Sequence, residues 1–218
     1  MERRMKSVNI IKGRINKIEG PGGGYTQYSD FDAATNQPKT VTHYHGTDAS
    51  SNTILHSIFY TYNPSGMPLT ITDARTKTTT FEYYVNNTDL KKVIKPGLLP
   101  RDYIEFTYNG NTHDIATITD RMGVTTEFGY DNSTGQLEMI TQAQGTAIQA
   151  VTELTYDPAA KTLMNVKRNG NVLTSFTYDT VGRVQTQTDS KGITLSYDYD
   201  NLDRLTTRLK LKNVLHLR

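Results

Sequence analysis

The sequence predicts an all-β protein, a long antiparallel meander of repeated β-hairpins forming a curved or spiralling single sheet. Three observations predict it. The chain of 218 residues is only 35% hydrophobic, with no Trp or Cys, 14 Tyr and 34 threonines. That mixture suits half-buried strands better than helices. A Tyr preceded two positions earlier by an aromatic or aliphatic residue returns seven times, at spacings of 21, 25, 22, 26, 22 and 21 residues. Between these tyrosines, polar and apolar residues alternate with the two-residue period of a strand.

Taken in order, residues 1–58 hold degenerate repeats. "GRINKIEGPGG" reads as the second half of a repeat, and "DFDAATN" and "THYH" follow as a turn and a strand. The regular array occupies 59–207, in hairpins of 21–26 residues. Its copies are "FYTYNPSG", "TFEYYVNN", "EFTYNGNT", "EFGYDNSTG", "ELTYDPAA", "SFTYDTVG" and "SYDYDNLD", anchored by Tyr62, Tyr83, Tyr108, Tyr130, Tyr156, Tyr178 and Tyr199. Each copy divides into turn, strand, turn, strand. After Asp179-Thr-Val-Gly182 comes "RVQTQT", and Asp189-Ser-Lys-Gly192 leads to the next tyrosine. Asp or Asn opening a turn can accept a hydrogen bond from an amide two residues on, and Gly closing it takes positive φ without a Cβ penalty. Gly66, Gly123, Gly135, Gly182 and Gly192 are the expected closing glycines. Tyr83 lacks one, and Ala159-Ala160 stands where one is expected. Phe176 shares a face with Tyr178, Phe106 with Tyr108, Phe128 with Tyr130 and Leu154 with Tyr156, whereas Glu105, Glu127 and Glu153 have the opposite parity. Residues 208–218 form an atypical basic tail with Arg208, Lys210, Lys212 and Arg218, which reads as a truncated strand or a frame-shifted end.

The pairs Tyr178-Asp179 with Gly182-Arg183, and Tyr199-Asp200 with Asp203-Arg204-Leu205, resemble the Rhs or YD-repeat family, over roughly residues 13–207. The resemblance implies a spiralling β-sheet shell, which in bacterial toxins encloses a C-terminal toxic segment and in animal relatives belongs to adhesion receptors. It also implies secretion or cell-surface display as part of a parent protein, because "MERRMKSVNI" is no export signal. The family's self-cleavage core has no counterpart, since "DPAA" at Asp157 is a repeat turn.

Sharper chemistry finds little footing. "EGPGGGYTQYSD" lacks the Gly-Lys-Ser/Thr and the helix of a phosphate loop. His43 and His45 share a strand face near Asp48, a spacing for two metal ligands without a third. Asp30 and Asp32 begin like a calcium loop, but Ala34 replaces the next ligand. No Gly-x-Ser-x-Gly or His-Glu-x-x-His occurs, and carboxylates copied in every repeat suit turns better than a catalytic pair. No catalytic residue, cofactor site or metal site is therefore assigned. A net charge of +2 is too small to draw nucleic acid, and no apolar run approaches the ~18 residues of a membrane helix. The expected role is a structural segment enclosing or presenting a toxin or effector, with the rest of a larger Rhs-type protein as partner. The alternative is an adhesin-like module binding carbohydrate or a cell surface through exposed tyrosines. A strip of such an array should also self-associate.

Overall fold

The computed structural model describes residues 7–20, 24–45, 53–95, 97, 102–110 and 112–211. All of the regular structure among them is β, and it falls into two compact units.

The first unit comprises Met1–Asp114 with Thr119–Gly123. Its strands are β1 (Ser7–Ile11), β2 (Arg14–Glu19), β3 (Tyr25–Phe31), β4 (Pro38–His45), β5 (Thr53–Tyr62), β6 (Pro68–Thr72), β7 (Thr78–Tyr83), β8 (Leu90–Ile94) and β9 (Tyr103–Tyr108). Each pairs antiparallel with the next in sequence. The second unit comprises Ile115–Ile118 with Val124–Arg218. It carries most of β10 (Ile115–Thr119), then β11 (Thr125–Tyr130), β12 (Leu137–Gln142), β13 (Ala150–Tyr156), β14 (Leu163–Arg168), β15 (Asn171–Tyr178), β16 (Val184–Asp189), β17 (Thr194–Tyr199) and β18 (Leu205–Leu211). From β11 onward the same antiparallel meander runs to β18. The fold is thus the all-β antiparallel meander that the repeats predict.

Among the described residues no large side chain is fully buried; only Tyr25, Ala143 and Ala150 among hydrophobics reach the buried class. Cohesion therefore comes from ladders and cross-strand pairs rather than an enclosed core. Thr61 meets Thr70 at 2.7 Å and Thr177 meets Thr186 at 2.6 Å, at equivalent places in two repeats. Thr72–Thr78 and Thr188–Thr194, both at 2.9 Å, repeat the next step of the pattern.

Most turns between strands share one rule, with glycine as only one way of meeting it; the connections at Lys12-Gly13, Asn169-Gly170 and after Ala143 are built differently. Where the rule holds, the closing amide donates to the carbonyl of the opening residue, and the closing residue has left-handed φ. Gly66, Gly123, Gly182 and Gly192 do this three residues after Asn63, Asp120, Asp179 and Asp189. Thr76, Asn87 and Asp203 do it without glycine, at φ 60°, 59° and 60°. Asn87 thus supplies what Tyr83 lacks downstream. Gly135 closes a turn one residue longer, and so does Lys161 at φ 60°. The missing glycine at Ala159-Ala160 is explained by that extra residue. Ala159 and Ala160 donate their amides to Asp157 Oδ1, and the left-handed position moves on to Lys161.

Candidate functional site

The feature that recurs through both units is built from tyrosine hydroxyls. Tyr62, Tyr83, Tyr108, Tyr130, Tyr156, Tyr178 and Tyr199 each end their strand. Their hydroxyls donate to the carbonyls of Pro38, Pro68, Leu90, Ile115, Leu137, Leu163 and Val184 respectively, at 2.8–3.0 Å. Every acceptor is the first residue of the preceding strand. Pro68, Leu90, Leu137, Leu163 and Val184 are in turn the register partners of Tyr62, Tyr83, Tyr130, Tyr156 and Tyr178. Each ring therefore reaches to the neighbouring strand, and Tyr83, Tyr108, Tyr156, Tyr178 and Tyr199 land on the residue paired with the previous tyrosine. Phe31, ending β3 and paired with Pro38, takes this place in the degenerate region and has no hydroxyl.

A register shift accompanies the anchors. Pairing skips Leu69, Lys91, Glu138, Met164, Gln185 and Thr206, opposite the step into Tyr62, Tyr83, Tyr130, Tyr156, Tyr178 and Tyr199. These bulges bend the return strand and tighten its twist where the tyrosine crosses it. Burial raises the phenol pKa of Tyr62, Tyr83, Tyr108, Tyr156 and Tyr178, which keeps these hydroxyls protonated as donors.

The turns beside the tyrosines are joined to one another. Asn63 Nδ2 donates to the Asn87 carbonyl at 2.8 Å, and His113 Nδ1 meets Asp89 Oδ2 at 2.7 Å. In the second unit Gln136 Nε2 donates to the Lys161 carbonyl at 2.8 Å. Arg183 donates to Asp179 at 2.7 Å within its own turn and to Asp203 at 2.8 Å in the next, with its guanidinium 4.8 Å from the Tyr199 ring centre. The Gly-Arg and Tyr-Asp pairs of the sequence meet in this cluster.

The turn aspartates are occupied rather than reactive. Asp131 Oδ1 accepts from the hydroxyls and amides of Ser133 and Thr134, which hold its pKa at about 2, the Ser133 hydroxyl foremost. Asp157 lies below the ordinary carboxylate value through the Ala160 and then the Ala159 amide. Asp200 does so through the amide and then the side chain of Arg204. A carboxylate depressed in the folded state stabilises it above the unfolded pKa of 3.8, and loses that contribution as pH falls toward the folded value. Acidification from pH 5 to 2.5 should therefore lower the urea midpoint. Asp131→Asn, which keeps an acceptor that cannot protonate, should flatten that slope. A slope unchanged in the variant would show that Asp131 is not among its causes.

The other sequence candidates resolve into structure. Asp32 Oδ1 accepts from the Ala34 amide and from the amide and hydroxyl of Thr35, so it belongs to a turn, while Asp30 lies on β3 and pairs with Lys39 at 3.3 Å. In the glycine-rich segment the Gly20 amide donates to the Gly24 carbonyl at 2.8 Å, linking β2 to β3; residues 21–23 lie outside the described ones. His43 and His45 lie on β4, but the neighbour of His43 is His56 on β5; Asp48 lies outside the described residues. Burial, then the charge of His56, lowers the His43 pKa. Arg208 and Lys210 extend β18, while Lys212 and Arg218 lie outside the described residues. No group of three or more His, Cys, Asp or Glu among the described residues is arranged to hold a metal, and none of them forms a helix long and apolar enough to cross a membrane.

Residues 97–217, more than half of the chain, match the Teneurin YD-shell family. The chain belongs to that family. No curated protein matches this YD-shell chain in sequence. Among solved structures, its fold is similar to TcdB2-TccC3 (TM-score 0.75, 16% identity), over 94% of this chain and 12% of that one. A second likeness is to TcdB2-TccC3-Cdc42 (TM-score 0.74, 15% identity), over 94% and 12%. A third is to a variant Tc holotoxin pore of Photorhabdus luminescens (TM-score 0.72, 16% identity), over 91% and 11%. The YD-shell chain thus spans about an eighth of the length of these proteins, and the likeness is one of fold.

Proposed function

We propose that this YD-shell chain is a structural, non-catalytic segment of a shell that encloses or presents a toxin or effector segment, within a larger secreted or cell-surface protein. The supporting observation is the tyrosine staple, repeated from hairpin to hairpin in a fold shared with TccC3-containing toxin structures. Containment needs a stiff wall, and backbone ladders locked laterally by hydroxyl-to-carbonyl bonds supply stiffness without a core of their own. The seven tyrosines and the turn glycines Gly66, Gly123, Gly135, Gly182 and Gly192 are the residues proposed to carry it.

Limited proteolysis of the parent polypeptide tests the reading. A flanking effector segment should resist protease until denaturant opens the wall, then be cut at once. A segment cut at the same rate before and after opening would overturn enclosure, and saturable binding of the isolated chain on a glycan array would favour the adhesin-like module instead. The seven anchor tyrosine hydroxyls are committed to carbonyls rather than offered to sugar. Alone, the chain should form dimers or larger species in light scattering, because Ile10, Ile11, Ile54, Leu55 and Phe59 are half or more exposed. A monomer at all concentrations would count against a segment cut from an array.

A further inference from the structure

The imidazoles of His43 and His56 meet across the β4–β5 pair and take no part in the turn or tyrosine networks. We propose that they form a two-nitrogen chelating site for a borderline divalent cation of the Cu(II), Ni(II) or Zn(II) kind.

The two residues are direct register partners, and their ring centroids lie 4.4 Å apart with planes inclined by 35°. Two imidazole nitrogens bound to one metal at about 2.1 Å each stand roughly 3 Å apart when cis. Imidazoles bound cis to one ion keep their ring centres at a comparable separation, so this pair stands close enough to share one. Thr26 supplies an outer partner, its Oγ1 being 2.9 Å from His43 Nδ1. In the tautomer the site requires, Nδ1–H donates to that hydroxyl and Nε2 keeps the lone pair for the metal. Pairing of β4 with β5 shifts register after His43, skipping Leu55, so the histidine pair sits beside a bulge, a place where strands re-aim side chains.

The donor set decides the class of ion. Imidazole suits Cu, Ni and Zn, whereas Ca²⁺ and Mg²⁺ require oxygen ligands. His45 shares the face of His43 by alternation, yet no third ligand completes a group among the described residues. Two protein nitrogens leave the other positions to solvent, which makes the site exchangeable and unlike a closed four-ligand structural zinc. A bound ion would tie β4 to β5.

Titrating the tag-free 218-residue chain with NiCl2 and CuCl2 by calorimetry tests the proposal. The expected result is saturable one-to-one binding, weakened at least tenfold by His43→Ala or His56→Ala and unchanged by His45→Ala. The Cu(II) spin-resonance spectrum should show two nitrogen ligands. Metal should raise the thermal midpoint of the wild type and of His45→Ala, and of neither other variant. Should an alanine variant lose its β circular dichroism, His56→Gln at the same position replaces it. Binding that survives both substitutions, binding lost equally with His45→Ala, or no binding at millimolar metal would each overturn the site.

Discussion

Tyr178→Ala is expected to lower stability by about 2–3 kcal/mol. The ring is half-buried at the end of β15, so its packing loss falls below the ~3–5 kcal/mol of a fully buried aromatic. The hydroxyl adds its own share, because it donates to the Leu163 carbonyl at 2.8 Å, and Leu163 is paired with Tyr156. Tyr178→Phe separates the two parts and should cost about 1 kcal/mol, the net worth of one hydrogen bond. Urea unfolding of both variants gives the partition. If the phenylalanine variant lost as much as the alanine one, ring packing would contribute nothing. Damage should also stay local, since each staple spans a single strand. Hydrogen exchange should rise around Tyr156 and Tyr199 well before it rises at Tyr130.

Gly182→Val should cost about 1–3 kcal/mol, entirely through the backbone. Gly182 has φ 90°, and a Cβ built there meets no atom within 4 Å, so the added Cβ itself is not crowded and the strain is that of the backbone conformation. A β-branched residue is poorly tolerated at positive φ, whereas Asn and Asp adopt it at modest cost. The next repeat shows this directly, since Asp203 closes the corresponding turn at φ 60°. Gly182→Asn should therefore retain most of the stability that valine removes. Equal losses for Asn and Val, measured by urea unfolding, would mean that the turn demands glycine for some reason other than φ.

Much of this fold was legible because its determinants are local. A tyrosine at a strand end, an aspartate opening a turn and a glycine closing it leave marks at fixed spacing. What the chain does across strands left weaker marks. The acceptor of each tyrosine is a main-chain carbonyl, which any residue supplies; Pro38, Pro68, Leu90 and Val184 share no side-chain signature. The bulges at Leu69, Lys91 and Gln185 follow from turn geometry and register, not from residue type. Lys161 and Asn87 reach left-handed φ because the hydrogen-bonded loop imposes it, against the expectation of glycine. His43 and His56 come from different strands whose register had first to be known, so only the spacing of His43 and His45 could be read beforehand.

The reach of the tyrosine has a consequence for how such a wall changes size. A hydroxyl that always lands on the start of the strand just before its own never contacts a residue beyond its immediate neighbour. Duplicating or deleting one whole hairpin would give every remaining ring the same kind of landing point. Length could then drift by unequal recombination with little selection against each step. The length of a YD-repeat array would be set by counting copies, as the span of a chain is set by counting links.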